Sequence, residues 1–181
     1  SRQEADFAKA IAGRTLLHRD MPDPVRYNYP AWLNGMLQSS LGEQWREAII
    51  ALNQEAPVDL RTNTLHTTRD ALLEALRKEG FKVEPTSLSP IGIRMQTRAP
   101  IFTSEYFKRG WFEMQDEGSQ LVTQMLDVQP GQKIIDVCAG AGGKTLALAA
   151  AMRNKGRILA WDTSEKRLGQ MAERLRRAKV D

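Results

Sequence analysis

Residues 136–145, Asp-Val-Cys-Ala-Gly-Ala-Gly-Gly-Lys-Thr, constrain this chain more than any other stretch. Lys133, Ile134, Ile135 and Val137 lead into it as a buried strand, and the alanine-rich residues 146–152 lead out as a helix. Strand, glycine-rich turn and helix in that order present backbone N–H groups to a ligand at a helix N-terminus. The local fold is therefore α/β, and the question is which ligand the turn takes.

Nucleoside triphosphates need a longer cradle. The Gly-x-x-x-x-Gly-Lys-Ser/Thr pattern is met at Gly143, Lys144 and Thr145, but its first glycine falls on Cys138. Dinucleotide binding needs Gly-x-Gly-x-x-Gly; Gly140 and Gly142 supply two glycines, and Thr145 occupies the third position. Asp136, four residues before Gly140, would also repel a pyrophosphate. S-adenosylmethionine fits better, because it offers an ammonium, a carboxylate, a sulfonium and an adenosine. Asp136 can help hold the cationic end, while the turn N–H groups and Lys144 receive the carboxylate. Asp162 ends the next apolar run, Arg-Ile-Leu-Ala-Trp-Asp, 22 residues after Gly140. That is the spacing of an acid that accepts hydrogen bonds from ribose hydroxyls. The competing reading makes Asp162 a cap for a helix beginning near Thr163 or Ser164.

The rest of the chain divides by pattern into a helical segment at 1–55, a small α/β unit at 56–110 and an α/β unit at 111–181. Residues 1–16 read as a helix with Phe7, Ala8, Ile11 and Ala12 on one side. Trp32, Leu33, Met36, Leu37, Leu41, Trp45, Ile49 and Leu52 recur at helical spacing, broken at Gly42, with the tryptophans expected in a core. In the second unit, Pro-Val-Asp-Leu-Arg-Thr-Asn reads as a strand, and Thr67 with Asp70 reads as a capping box. Leu72, Leu73 and Leu76 share one face of the helix that follows, and Ile91, Ile93 and Met95 alternate along a half-buried strand. The third unit opens with a helix whose apolar face is Leu121, Val122, Met125 and Leu126, and it continues as β-α-β-α. That is the start of a doubly wound parallel sheet. Two strands do not complete one, so this reading expects the front part of a longer protein.

Composition excludes several classes. One cysteine rules out a disulfide framework, and with two histidines it leaves too few ligands for a structural zinc site, so no metal is expected. No apolar run approaches the length of a bilayer span and no signal-peptide pattern opens the chain, so a cytoplasmic protein without a membrane partner is expected. A net charge of +4 leans mildly toward a polyanionic partner.

Five motifs in order, Tyr-Pro-Ala-Trp-Leu at 29–33, Leu-Arg-Thr-Asn at 60–63, residues 110–122, residues 136–145 and Ala-Trp-Asp-Thr-Ser-Glu-Lys-Arg-Leu at 160–168, resemble the Nol/Nop/Sun family of RNA cytosine-C5 methyltransferases, particularly its bacterial Sun-type rRNA members. The family turn most often reads Cys-Ala-Ala-Pro-Gly-Gly-Lys-Thr; here Gly140 and Ala141 replace its second alanine and proline. The resemblance implies an incomplete Rossmann-like class I methyltransferase sheet, preceded by a small α/β RNA-contacting domain and N-terminal helices. It implies that Cys138, Ala139, Gly140, Ala141, Gly142, Gly143 and Lys144 wrap the methionine part of S-adenosylmethionine. Asp162 would hold the ribose, with Arg167 close by. Arg61, Arg94, Arg98, Lys108 and Arg109 become candidates for phosphate contact. RNA is the implied partner, rRNA before tRNA.

The family attacks cytosine C6 with a cysteine thiolate and uses cysteines in Pro-Cys and Thr-Cys contexts. Neither context occurs here, and Cys138 stands where the family carries a non-catalytic cysteine. The resemblance therefore places no catalytic residue in this chain: the full-length protein is expected to methylate, and these 181 residues alone are not. Two other readings stay open: a small-molecule or protein methyltransferase, and a non-catalytic RNA-binding module that keeps the turn as scaffold.

Overall fold

The computed structural model describes Ala12 and residues 18–181, so the helix read over residues 1–16 lies, apart from Ala12, outside the described residues. The described residues fall into two compact units that divide between Ala56 and Pro57.

In the first unit, a short helix α1 (Asp23–Arg26) is followed by α2 (Asn34–Leu41) and α3 (Trp45–Leu52), with single 3-10 turns at Ala31–Leu33 and Gly42–Gln44. The run breaks at Gly42, as its periodicity indicates. Trp45 and Ile49 are buried, and the rings of Tyr27 and Tyr29 stand edge-on to Trp45 at 6.1 and 6.2 Å, a favoured aromatic arrangement. Trp32 departs from expectation: it is 72% exposed. It sits in the 3-10 turn ahead of α2, where the stripe of the helix has not begun.

The second unit begins β1 (Val58–Thr62), α4 (Arg69–Lys78), β2 (Val83–Pro85), β3 (Gly92–Met95), α5 (Glu105–Lys108), β4 (Phe112–Met114). Its sheet has the order β2-β3-β1-β4, and every pairing is antiparallel. This is a split β-α-β arrangement. Leu60, Ile93, Met95 and Phe112 pack from the sheet onto Leu72, Leu73 and Leu76 of α4, each side chain removing about 1.5–3 kcal/mol worth of apolar surface from water. The capping box does not form. α4 starts one residue later than its sequence suggests, and the Thr68 hydroxyl accepts from the Ala71 N–H at 3.3 Å. The sheet draws its last strand from residues 112–114, with Leu60 opposite Met114 and Thr62 opposite Phe112.

Helix α6 (Glu117–Gln124) follows, capped by Asp116, whose Oδ1 accepts from the Ser119 N–H at 2.8 Å. Its apolar face is not the buried one. Glu117, Gln120 and Thr123 face inward, while Val122, Met125 and Leu126 are exposed. Polar atoms decide this. Glu117 Oε1 accepts from the backbone N–H groups of Leu88 and Ser89. Gln120 donates to the Leu60 and Gln115 carbonyls and accepts from the Ser89 hydroxyl. Leaving those buried groups unpaired would cost about 1–3 kcal/mol each, more than burying a partly shielded valine returns.

The remainder is β5 (Lys133–Asp136), α7 (Gly143–Ala151), β6 (Arg157–Ala160) and α8 (Glu165–Ala178). β5 and β6 pair in parallel, Ile134 beside Ile158. The strand read as buried at residues 133–137 is covered on one face and open on the other. Ile134 is partly buried, but Ile135 is 64% exposed and Leu159 59%. Only the face carrying Ala160 is covered, by Leu146, Met171, Leu168 and Leu175 of α7 and α8. No helix among the described residues is long and apolar enough to cross a membrane.

Candidate functional site

The site grows from the end of β5. Beyond the paired residues, the Trp161 N–H donates to the Asp136 carbonyl at 2.8 Å and the Ala139 N–H to the Trp161 carbonyl at 3.0 Å. These bonds carry the β5–β6 pairing into the turn. The Asp136 side chain accepts from the Thr145 hydroxyl at 2.7 Å, which ties the strand end to the first turn of α7.

Gly140 and Gly142 are left-handed, with φ of +54° and +85°, conformations a residue with Cβ adopts only at a cost. At Gly142 a Cβ would also stand 2.6 Å from Met171 Cγ and 2.9 Å from Leu146 Cδ1. This compact bend delivers the chain into α7 with Gly142 as N-cap and no side-chain cap. The N–H groups of Gly143, Lys144 and Thr145 thus lack intrahelical partners. They form a positive helix end open to an anionic group. Lys144 and Cys138 are exposed beside it.

Asp162 closes the other side. Its Oδ2 accepts from the Gly140 N–H at 2.8 Å, and its Oδ1 accepts from the Ser164 N–H at 2.9 Å. The Ser164 and Gly140 N–H groups, then the charge of Arg167, hold the Asp162 carboxyl below its usual range. Arg167 Nη1 lies 3.9 Å from Asp162 Oδ2, and the Arg167 guanidinium packs against Gly140. Ser164, not Asp162, is the N-cap of α8. The structure therefore brings Gly140, Asp162 and Arg167 into contact, with Cys138, Ala139, Ala141, Gly142, Gly143 and Lys144 along the turn between them.

The basic side chains read as phosphate contacts divide. Arg61 is 2% exposed; its Nη1 donates to Gln115 Oε1 and to the Gly143 carbonyl, both at 2.6 Å. It is a ligand of the turn and not a surface contact. Arg94 holds Asp59 through two bonds of 2.8 Å. Lys108 pairs with Glu105, Arg109 lies over Trp111 at 5.1 Å, and Arg98 is exposed. Glu113, Gln115 and Arg174, which hold the turn from behind, carry no pattern of their own beyond lying in or near the motifs.

Comparison with known proteins gives concordant results. A family described as "Methyltr_RsmF/B-like, ferredoxin-like domain" matches residues 29–102, and one described as "16S rRNA methyltransferase RsmB/F" matches residues 123–181. The chain is 36% identical over 163 residues to the ribosomal RNA small subunit methyltransferase B of Salmonella arizonae, covering 90% of this chain and 38% of that protein. It is 34% identical over 170 residues to the protein of the same name from Pseudomonas syringae, covering 93% and 38%. The chain thus spans well under half the length of these relatives. A crystal structure of a methyltransferase homolog protein from Pyrococcus horikoshii superimposes with a TM-score of 0.81 at 29% identity, covering 91% of this chain and 55% of that one. The split β-α-β sheet is a ferredoxin-like domain, and β5-α7-β6-α8 is the first part of a methyltransferase sheet.

Proposed function

This chain belongs to the RsmB/F methyltransferase family, and we propose that the full-length protein carrying it transfers a methyl group from S-adenosylmethionine to cytosine C5 of ribosomal RNA in the cytoplasm. The observation that carries the cofactor assignment is the pairing of an uncapped α7 N-terminus with an acid pinned to the same turn. S-adenosylmethionine supplies a methyl group activated on a sulfonium. The N–H groups of Gly143, Lys144 and Thr145, with the Lys144 ammonium, receive a carboxylate. Cys138, Ala139, Gly140, Ala141, Gly142 and Gly143 would form the wall beside the cofactor's amino-acid part. Asp162 has four lone-pair sites; the Gly140 and Ser164 N–H groups use two, leaving one on each oxygen for the two ribose hydroxyls. The Ser164 and Gly140 N–H groups, and after them the charge of Arg167, favour the ionised form of Asp162 that this role needs.

RNA as substrate rests on the relatives' names and on the exposed cations Arg98, Lys108 and Arg109 of the small domain. The cysteines for attack on cytosine C6 belong to sequence outside this chain, and Cys138 lines the turn. By this reading the 181-residue chain alone does not methylate RNA.

Incubating the full-length protein with 16S rRNA and labelled S-adenosylmethionine, then analysing the nucleosides, should give 5-methylcytosine. Asp162→Ala should weaken cofactor binding by about 100-fold, as expected for two lost hydrogen bonds to a charged group. Label at another base position, or calorimetric heats that are equally negligible for wild type and Asp162→Ala, would overturn the reading.

A further inference from the structure

The carbonyls of the glycine turn are held by side chains from two other elements, one of them fixed in turn by a third. Arg61 of β1 reaches the Gly143 carbonyl at 2.6 Å. Arg174 of α8 reaches the Ala141 carbonyl at 2.8 Å. The two carbonyls flank Gly142, the left-handed residue on which α7 begins. Arg174 is itself fixed by Glu113 of β4, whose Oε2 accepts from Arg174 Nε at 3.1 Å and Nη2 at 2.9 Å, while Oε1 accepts from Arg177. The Glu113 side chain is 3% exposed. Gln115, just after β4, takes the second bond of Arg61. β1 thus bonds one side of the bend directly through Arg61, and β4 holds the other side indirectly, through Glu113 and Arg174 of α8.

Stability alone does not explain this arrangement. Burial lowers the pKa of Arg61 to about 10 against the favourable charge of Glu113, and Arg61 Nε has no partner among the described residues. A buried ion cluster with an unsatisfied donor is weak evidence of net stabilisation; apolar residues of similar volume often serve as well. What such residues could not do is hold two named carbonyls. A trans peptide plane turns its N–H opposite to its carbonyl, so fixing the Gly143 carbonyl also fixes the Lys144 N–H, one of the free donors of α7.

We infer that Arg61, Arg174 and Glu113 are positioning residues, which lock the cofactor turn to the ferredoxin-like sheet so that the α7 N-terminus is set for the methyl donor's carboxylate before the donor binds. This inference rests on the proposed use of S-adenosylmethionine. The entropy of ordering the turn is then spent in folding and not at each binding event. The same bonds link the cofactor turn to the small domain, which carries Arg98, Lys108 and Arg109 outside its strands.

The test uses the full-length protein. Arg174, whose side chain is 23% exposed on α8, is the variant best placed to keep the fold. Arg174→Met should raise the KM for S-adenosylmethionine about tenfold, the loss expected for one charge-assisted hydrogen bond, with the KM for 16S rRNA within about twofold of wild type. Arg174→Lys cannot bond Ala141 and Glu113 together through a planar fork, and should recover only part of the loss. Amide exchange over residues 139–145, measured without cofactor, should quicken in both variants. A folded Arg174→Met protein with unchanged cofactor KM and unchanged exchange overturns the inference, as does an equal rise in both KM values. Should Arg174→Met not fold, an Arg174→Lys protein with wild-type cofactor KM overturns it. A wild-type protein that binds RNA but not S-adenosylmethionine instead overturns the proposed function, and this inference with it.

Discussion

Gly142 and Gly143 are neighbours with the same side chain, yet the structure assigns them opposite tolerance to a methyl group. Gly142 has φ of +85°, and a Cβ there meets Met171 Cγ at 2.6 Å and Leu146 Cδ1 at 2.9 Å. The left-handed conformation costs an L-residue about 1–2 kcal/mol, and forcing a methyl into packed side chains costs roughly 1–3 kcal/mol more. Gly142→Ala should therefore destabilise by roughly 2–5 kcal/mol, the sum of those two ranges. Gly143 is the first residue of α7, its φ is not in the left-handed range, and a Cβ there meets only Gln115 Nε2 at 3.8 Å, an ordinary contact. Gly143→Ala should be neutral or stabilising by up to about 1 kcal/mol, because alanine loses less backbone freedom on folding. Urea unfolding of the two variants beside wild type, followed by tryptophan fluorescence and far-UV circular dichroism, gives both numbers. Stabilities within about 0.5 kcal/mol of each other, less than ordinary scatter between surface substitutions, would refute the assignment of a left-handed, tightly packed bend to Gly142.

Other outcomes follow from the same geometry. Gln120→Leu, which removes one partner each from the Leu60 and Gln115 carbonyls and from the Ser89 hydroxyl, should cost about 2–4 kcal/mol in urea unfolding. Val122→Ser, at a position 51% exposed, should stay within about 0.5 kcal/mol of wild type. Glu117 is held below its usual pKa first by the Ser89 N–H and then by the Leu88 N–H. Its contribution to stability is present above the unfolded value of about 4.3 and is lost as pH falls through the lower folded value. Stability measured from pH 6 to 3 should accordingly fall less steeply in Glu117→Gln than in wild type, and parallel curves would count against the assignment.

The glycine turn was legible because its chemistry is local. Positive φ demands glycine at particular offsets, and Asp162 must lie one crossover away to reach the same bend; both conditions are written at fixed spacing. The small sheet was legible for a similar reason, since Ile93, Met95, Leu72, Leu73 and Leu76 follow strand and helix periods. The inward face of α6 was not. Apolar periodicity chose Val122 and Met125, whereas the backbone N–H groups of Leu88 and Ser89, 29 and 28 residues from Glu117, needed acceptors and took the polar face instead. For β5 and β6, an apolar run does not say how many faces are covered.

Arg61 carries the same lesson into the site. The family resemblance and its charge made it a candidate for phosphate contact, but its partners are Gln115 and Gly143, 54 and 82 residues away, and no window of sequence contains that triangle. The residues proposed to bind the cofactor are written in two short motifs, 136–145 and 160–168, and the side chains that hold the turn are drawn from β1, β4 and α8. A turn with two left-handed glycines and no proline has more conformations to lose than the family's usual Ala-Pro form. Bonds from Arg61 and Arg174 to the carbonyls on either side of Gly142 supply, from outside the motif, rigidity that Gly140 and Ala141 do not supply from within it.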